Sequence, residues 1–221
     1  MTYKDVIYKL NNNIPFTFSR YGVAEWACML GEDGVDVNGT VYTQELRLDL
    51  QSALKEKRTE NDFIGLSKQA MDMYPSKIEA MNKAYGFNWV DADMFAKQWY
   101  NEGLESLFIS LEKYSVLLIA PQYYGYFQKE MAWGHCRIDQ HDWYNKNYEA
   151  ILYLLEKSLL FQEPSVYIWA AGMGAKPAIQ RLRKTRPDVS HIDIGSALDP
   201  YTEYATRKYH LLKNPNLKQL L

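Results

Sequence analysis

Short runs rich in β-branched and aromatic residues alternate along this chain with longer amphipathic ones, and no other feature restricts its fold as much. Residues 15–19 (PFTFS), 63–67 (FIGLS), 115–120 (SVLLIA), 165–171 (SVYIWAA) and 191–194 (HIDI) read as strands. Between them, residues 3–10, a segment capped by Thr43 and running through 57, 68–84 around a break at Pro75, 93–113, 147–161 and 175–184 carry apolar residues at helical spacing. A strand followed by a helix pairs with the next strand in parallel, because the helix makes the return path. Near-continuous apolar strands then belong in a sheet covered on both sides. The pattern predicts one α/β domain over residues 1–221, with a mainly parallel sheet flanked by helices on both faces, and a short helix in the tail from Thr206 onward.

Composition narrows the partners. Hydrophobic residues make up 47% of 221, enough for a sizeable core. Charged residues at 24% and a formal net charge of −2 give no overall basic field for nonspecific binding of nucleic acid or membrane. The N-terminal residues lack an apolar leader and the longest apolar runs are too short to span a bilayer, so no membrane span is expected. Two cysteines, Cys28 and Cys136, fit a reducing compartment better than a disulfide framework, and a cytoplasmic location is the expectation. The 18 Tyr and 6 Trp supply flat faces for packing, and for stacking on sugars or bases. Association into homo-oligomers is left open by the sequence.

Three segments carry candidate chemistry, each where a strand gives way to a helix or turn, the place where parallel sheets open a crevice for ligands. In the first, FTFSRYGVAEWACMLG, a strand-like run ends in Arg20 and is followed by Tyr21, Gly22 and Glu25. Arg20 suits bidentate pairing with a phosphate or carboxylate, Gly22 close backbone approach, and Glu25 a base or a hydrogen bond to a sugar hydroxyl. An internal Arg20–Glu25 ion pair bracing a turn is the alternative. The second, SVYIWAAGMGAKPAIQRL, places Gly172, Met173 and Gly174 before a helix and puts Lys176 in its first turn. Backbone N–H groups at such a turn can cradle a phosphate, although the same glycines also serve a tight strand-to-helix turn. Pro177 stands where the third glycine of a dinucleotide fingerprint would fall, so a nicotinamide or flavin cofactor is not indicated. The third, HIDIGSALDPY, carries Asp193, Ser196 and Asp199. With Ile192 and Ile194 in the core, alternation turns Asp193 to the other face or to the end of the sheet.

Together these segments resemble the bacterial and phage glycosyltransferases of the GT-D type. The Arg-aromatic-Gly-Asp-Gly-Glu signature of that family is matched by Arg20, Tyr21, Gly22 and Glu25, and AGMGAKPAI and IDIGSALDPY follow in order, with Arg207, Tyr209 and His210 beyond them. The resemblance implies a Rossmann-like fold, a nucleotide-diphosphate sugar as donor, and an Asp-x-Glu pair that handles its diphosphate with a divalent cation, manganese or magnesium. It implies Glu25, Arg20 and Asp193 as catalytic residues. Donor contacts fall to Tyr21, Gly22, Gly172, Met173, Gly174, Lys176, Ser196, Asp199 and Arg207. The expected acceptor is a hydroxyl on a glycan or, as in phage enzymes, on a hydroxymethylated DNA base. The chain departs from the signature where the Asp is Val23 and the next Gly is Ala24. Val23 offers a hard cation no oxygen, which leaves Arg20, Lys176 and Arg207 as candidate substitutes for a metal. A nucleotide- or glycan-binding module that has lost catalysis is the rival reading.

Two weaker signals remain. His135, Cys136 and His141 have a superficially zinc-like spacing but lack a second Cys pair, and read as structural. Asp139, His141 and Asp142, beside Trp143, are candidates for an acceptor site. The basic run from Arg181 to Arg186 reads as a solvated helix end.

Overall fold

The computed structural model describes residues 1–56, 58–87, 89–139, 141–161 and 165–219. The chain begins with α1 (Tyr3–Asn11), β1 (Thr17–Tyr21), α2 (Val23–Leu30), α3 (Gln44–Lys55) and β2 (Asp62–Leu66). Then come α4 (Lys68–Met73), α5 (Pro75–Tyr85), β3 (Trp89–Asp91), α6 (Met94–Asn101), α7 (Glu105–Leu111) and β4 (Val116–Pro121). They are followed by α8 (Gly125–Met131), β5 (Gly134–Ile138), α9 (Trp143–Phe161), β6 (Val166–Trp169), α10 (Ala175–Thr185) and β7 (Ser190–Asp193). The chain closes with β8 (Tyr204–Ala205), α11 (Lys208–Lys213) and β9 (Lys218–Gln219). Among the described residues β1 to β7 form a 7-stranded sheet in the order β3-β2-β1-β7-β6-β4-β5, and every pairing in it is parallel. β8 and β9 form a separate parallel pair.

Alternate side chains of the central strands feed two cores. Phe18, Leu118, Ile168 and Ile192 face α1, α6, α7 and α8, while Ile64, Ile119 and Trp169 face α2, α3, α9 and α10. Burial on both faces is why these strands read as continuous apolar runs.

The five expected strands are present, and β3 and β5 join them at the two sheet edges. The expected helix over 93–113 is two helices. Gly103, at φ +88°, donates its N–H to the carbonyls of Gln98 and Trp99 and ends α6 in a left-handed turn. The break at Pro75 is real, with Pro75 as the first residue of α5. Thr43 caps α3, its Oγ1 accepting from the Leu46 N–H at 3.2 Å; Lys57, where that helix was expected to end, lies outside the described residues. The basic run is paired rather than merely solvated: Arg181 meets Glu149 and Glu156, Arg183 meets Asp62, and Lys184 meets Glu56. No helix among the described residues is long and apolar enough to cross a membrane.

Candidate functional site

A pocket of about 520 Å³ opens at the carboxyl ends of β1, β4, β6 and β7, whose last or following residues, Gly22, Pro121, Ala170 and Asp193, line it. This is where parallel strands leave their ends uncovered by the helices that follow.

The floor is built by the first turn of two helices and the end of β7. Glu25 sits in the first turn of α2, where its Oε2 accepts the Gly22 N–H at 2.9 Å. Its Oε1 meets Lys176 Nζ at 2.8 Å. Lys176, in the first turn of α10, also reaches Asp193 Oδ2 at 3.0 Å and the Gly172 carbonyl at 2.9 Å. All three ammonium protons are thereby engaged. Lys176 is 4% exposed, Glu25 8% and Asp193 1%. Burial works to raise the Glu25 pKa, but the Lys176 ammonium and the Gly22 N–H outweigh it and hold the carboxyl below its ordinary value. Burial likewise works to lower the Lys176 pKa, and Asp193 and Glu25 reverse it. Glu25 and Lys176 are therefore each held in the charged form.

Arg20 closes one side. Its backbone N–H donates to Asp193 Oδ2 at 3.2 Å, its Nε to the Ala92 carbonyl at 2.7 Å, and its Nη2 to Asp93 Oδ1 at 3.3 Å. The guanidinium lies across Gly195, where a Cβ would overlap it; Gly195 also takes φ +59°. Arg20 thus pairs with Asp93, not with Glu25, so the expected alternative of a brace between Arg20 and Glu25 is absent.

At the far end, Asp199 is 1% exposed and accepts hydrogen bonds from Tyr124 Oη on one oxygen and Thr206 Oγ1 on the other. Burial pushes its pKa up to about 6, against the smaller opposing effects of Thr206, Tyr124 and Arg207. Ser196 Oγ lies 3.2 Å from the Tyr209 hydroxyl, and Arg207 donates to the Thr206 carbonyl at 2.8 Å.

Of the sequence-derived candidates, Arg20, Gly22, Glu25, Gly172, Lys176, Asp193, Ser196, Asp199 and Arg207 all line this one pocket. Tyr21 and Met173 do not: their side chains pack with Trp26, Leu46 and Leu50 beneath it. Gly174 is buried against Trp143, whose Cζ2 would stand 2.7 Å from a Cβ there. The segment 32–43 forms a wall, with Val35, Asp36, Val37, Asn38, Thr40 and Tyr42 in the lining. It is tied down far along the chain, Val41 N donating to Asp142 Oδ1 at 3.3 Å and Asn145 Nδ2 to the Val41 carbonyl at 3.1 Å. Of the proposed acceptor cluster only Trp143 reaches the pocket, while Asp142 anchors that wall. Asp93, Tyr123, Tyr124 and Thr206 are lining residues that no motif signalled.

A divalent cation does not fit the signature turn. Val23 lines the pocket without an oxygen, and Lys176 Nζ occupies the space between the two nearest carboxylates. Among the described residues no three His, Cys, Asp or Glu side chains are grouped to hold a metal ion. His135 and Cys136 are adjacent in β5 and so project to opposite faces, while His141 packs against Gly39. Both cysteines are free, Cys28 buried and Cys136 half-buried.

No protein-family model matches the sequence, and no curated protein matches it significantly. Solved structures do match the fold. One, of a domain of unknown function 1792, superposes with a TM-score of 0.66 at 16% identity, covering 100% of this chain and 90% of the other. A second, of the same domain and described as having a distinct glycosyltransferase fold, gives 0.64 at 16% identity over 100% and 90%. A third, described as a new glycosyltransferase of that domain type from Streptococcus sanguinis, gives 0.64 at 15% identity over 91% and 82%. The chain is similar in fold to domains described as glycosyltransferases.

Proposed function

We propose that this protein is a glycosyltransferase that moves a sugar from a nucleotide-diphosphate donor to a hydroxyl acceptor. The observation that carries the reading is the convergence, in one pocket at the strand ends, of three motifs far apart in sequence, joined through Lys176 to Glu25 and Asp193. The fold shared with domains described as glycosyltransferases supports it.

Glycosyl transfer needs cationic or N–H groups where the leaving diphosphate gathers charge. Arg20 and Arg207 line the pocket from two sides, and Gly22, Val23 and Ala24 bring the amino end of α2 to it. Those groups receive the diphosphate in this reading, with Gly172 and Ser196 beside it. Glu25 and Asp193 serve by fixing the Lys176 ammonium beneath them. The lining also carries the carboxylates of Asp36, Asp93 and Asp199, which supports a glycan acceptor over the phosphate-rich strand of a modified DNA base.

The test is nucleotide release from a panel of UDP-, GDP- and CMP-sugars, with manganese and with a chelator. Release that survives the chelator is expected, since Arg20 and Arg207 are the cationic groups this reading sets against the diphosphate. Val23 and the fully engaged Lys176 favour one rival, a binding module that has lost catalysis. Nucleotide binding without turnover across the whole panel would establish that rival instead.

A further inference from the structure

Among the described residues five carboxylates line the pocket, and they are not equivalent. Glu25 and Asp193 share the Lys176 ammonium, and Asp93 pairs with Arg20. Asp36 turns Oδ1 to the backbone N–H groups of Asn38 at 2.8 Å and Thr40 at 2.9 Å; burial outweighs these donors and raises its carboxyl, but they are fixed N–H groups that cannot turn to accept from the protonated acid. Asp199 differs from all of them in its hydrogen-bond donors, which are two hydroxyls.

That difference decides which carboxylate can take a proton. Protonating Glu25 or Asp193 would give up a buried charge-assisted contact with the Lys176 ammonium, leaving the other carboxylate as its one counter-charge. Protonating Asp199 strands nothing, because a hydroxyl rotates and can accept as readily as it donates. Tyr124 enters from the turn after β4 and Thr206 from the segment after β8, so both oxygens are positioned by separate parts of the fold.

We propose that Asp199 is the general base of the transfer, the group that accepts the proton of the attacking hydroxyl. This rests on the glycosyltransferase reading. In the step, the hydroxyl oxygen bonds to the anomeric carbon while the bond from that carbon to the diphosphate oxygen breaks, its electron pair leaving with the nucleotide. The hydroxyl proton passes to Asp199, so atoms and charge balance without a further reactant. The groups that face Asp199 are Tyr123 and Tyr124 after β4, Thr206 and Arg207 after β8, and Tyr209 of α11. Burial among them lifts the carboxyl toward the neutral range in which a base works well.

Hydrolysis of UDP-glucose and UDP-galactose, with water as acceptor, tests this on the full chain between pH 4.5 and 8.5, with UDP affinity measured by calorimetry alongside. Turnover in the wild type should fall as the pH drops through about 6. Asp199→Asn should lose about 100-fold or more in turnover at pH 7.5 while UDP affinity stays within about threefold. Tyr124→Phe keeps the base but removes a donor to its charged form, so its acid limb should move to higher pH. If Asp199→Asn fails to fold, that limb carries the test. Turnover in the wild type with no dependence on Asp199, or a limb that Tyr124→Phe leaves in place, overturns the assignment while sparing the transferase reading. UDP binding with no turnover in the wild type overturns both.

Discussion

At the floor of the pocket Glu25 and Asp193 face an ammonium, whereas Asp199, six residues beyond Asp193, faces two hydroxyls. Both ends are buried and both are polar, yet they respond to a proton in opposite ways. An ion pair out of water fixes charge, since neither partner can neutralise without abandoning the other. A carboxylate held by hydroxyls keeps its geometry in either state. A reaction that needs a steady electrostatic frame and a group that changes charge requires both arrangements, and here 3₁₀ turns from Gly195 to Thr202 join one to the other.

The comparison breaks most severely at Lys176. Lys176→Met keeps length and apolar bulk but leaves Glu25 and Asp193 buried without their shared cation. The loss of stability should be about 3–5 kcal/mol, read from urea denaturation. A loss under about 1 kcal/mol would mean that the two carboxylates find water in the pocket and that the floor is not the closed unit described above.

The pH dependence of stability sharpens the contrast, because the two ends carry opposite signs. Glu25 has a folded pKa below its ordinary value, so its contribution is present above the unfolded pKa and lost as the pH falls through the folded one. Asp199 is the reverse. Its folded pKa of about 6 lies above the unfolded 3.8, so its stabilising effect is complete below 3.8 and lost as the pH rises through 6. The stability of Asp199→Asn relative to wild type should therefore rise by about 2–3 kcal/mol between pH 4 and pH 7.5. Any constant offset from altered hydrogen bonding cancels in that difference. A flat difference across the range would mean that Asp199 titrates near its ordinary value.

The central strands and the floor were legible because their signals are local: apolar runs, and Arg, Gly, Glu, Lys and Asp at strand ends. The edges were not. β5 reads Gly-His-Cys-Arg-Ile, half of it facing solvent, and β3 has 3 residues, so neither shows a buried strand's composition. The place of the wall at 32–43 over the pocket depends on Asp142 and Asn145, about a hundred residues away. Glu25 and Asp193 were visible as candidates, whereas their sharing of Lys176 was not, since spacing in sequence says nothing of which helix ends meet. The hydroxyl partners of Asp199 were hidden for the same reason: Tyr124 and Thr206 belong to no motif.

Gly195 separates the two ends most finely, and the effect of changing it should be the smallest. It lies between Asp193 and Asp199, takes φ +59°, and gives the Arg20 guanidinium its path to the Ala92 carbonyl and Asp93. Gly195→Ala adds a side chain in a left-handed backbone and pushes Arg20 aside, at a cost of about 1–2 kcal/mol in stability. The two ends should then part company. UDP affinity, which draws on Arg20 in the proposed reading, should weaken, and by no more than Arg20→Ala weakens it. The acid limb assigned to Asp199 should hold its position, because Tyr124 and Thr206 approach from other segments. An alanine tolerated with UDP affinity intact would show that Arg20 reseats without the glycine. A limb that moves with it would show that the two ends are coupled through the turn between them, and that the division between a fixed floor and a titrating corner is one of degree.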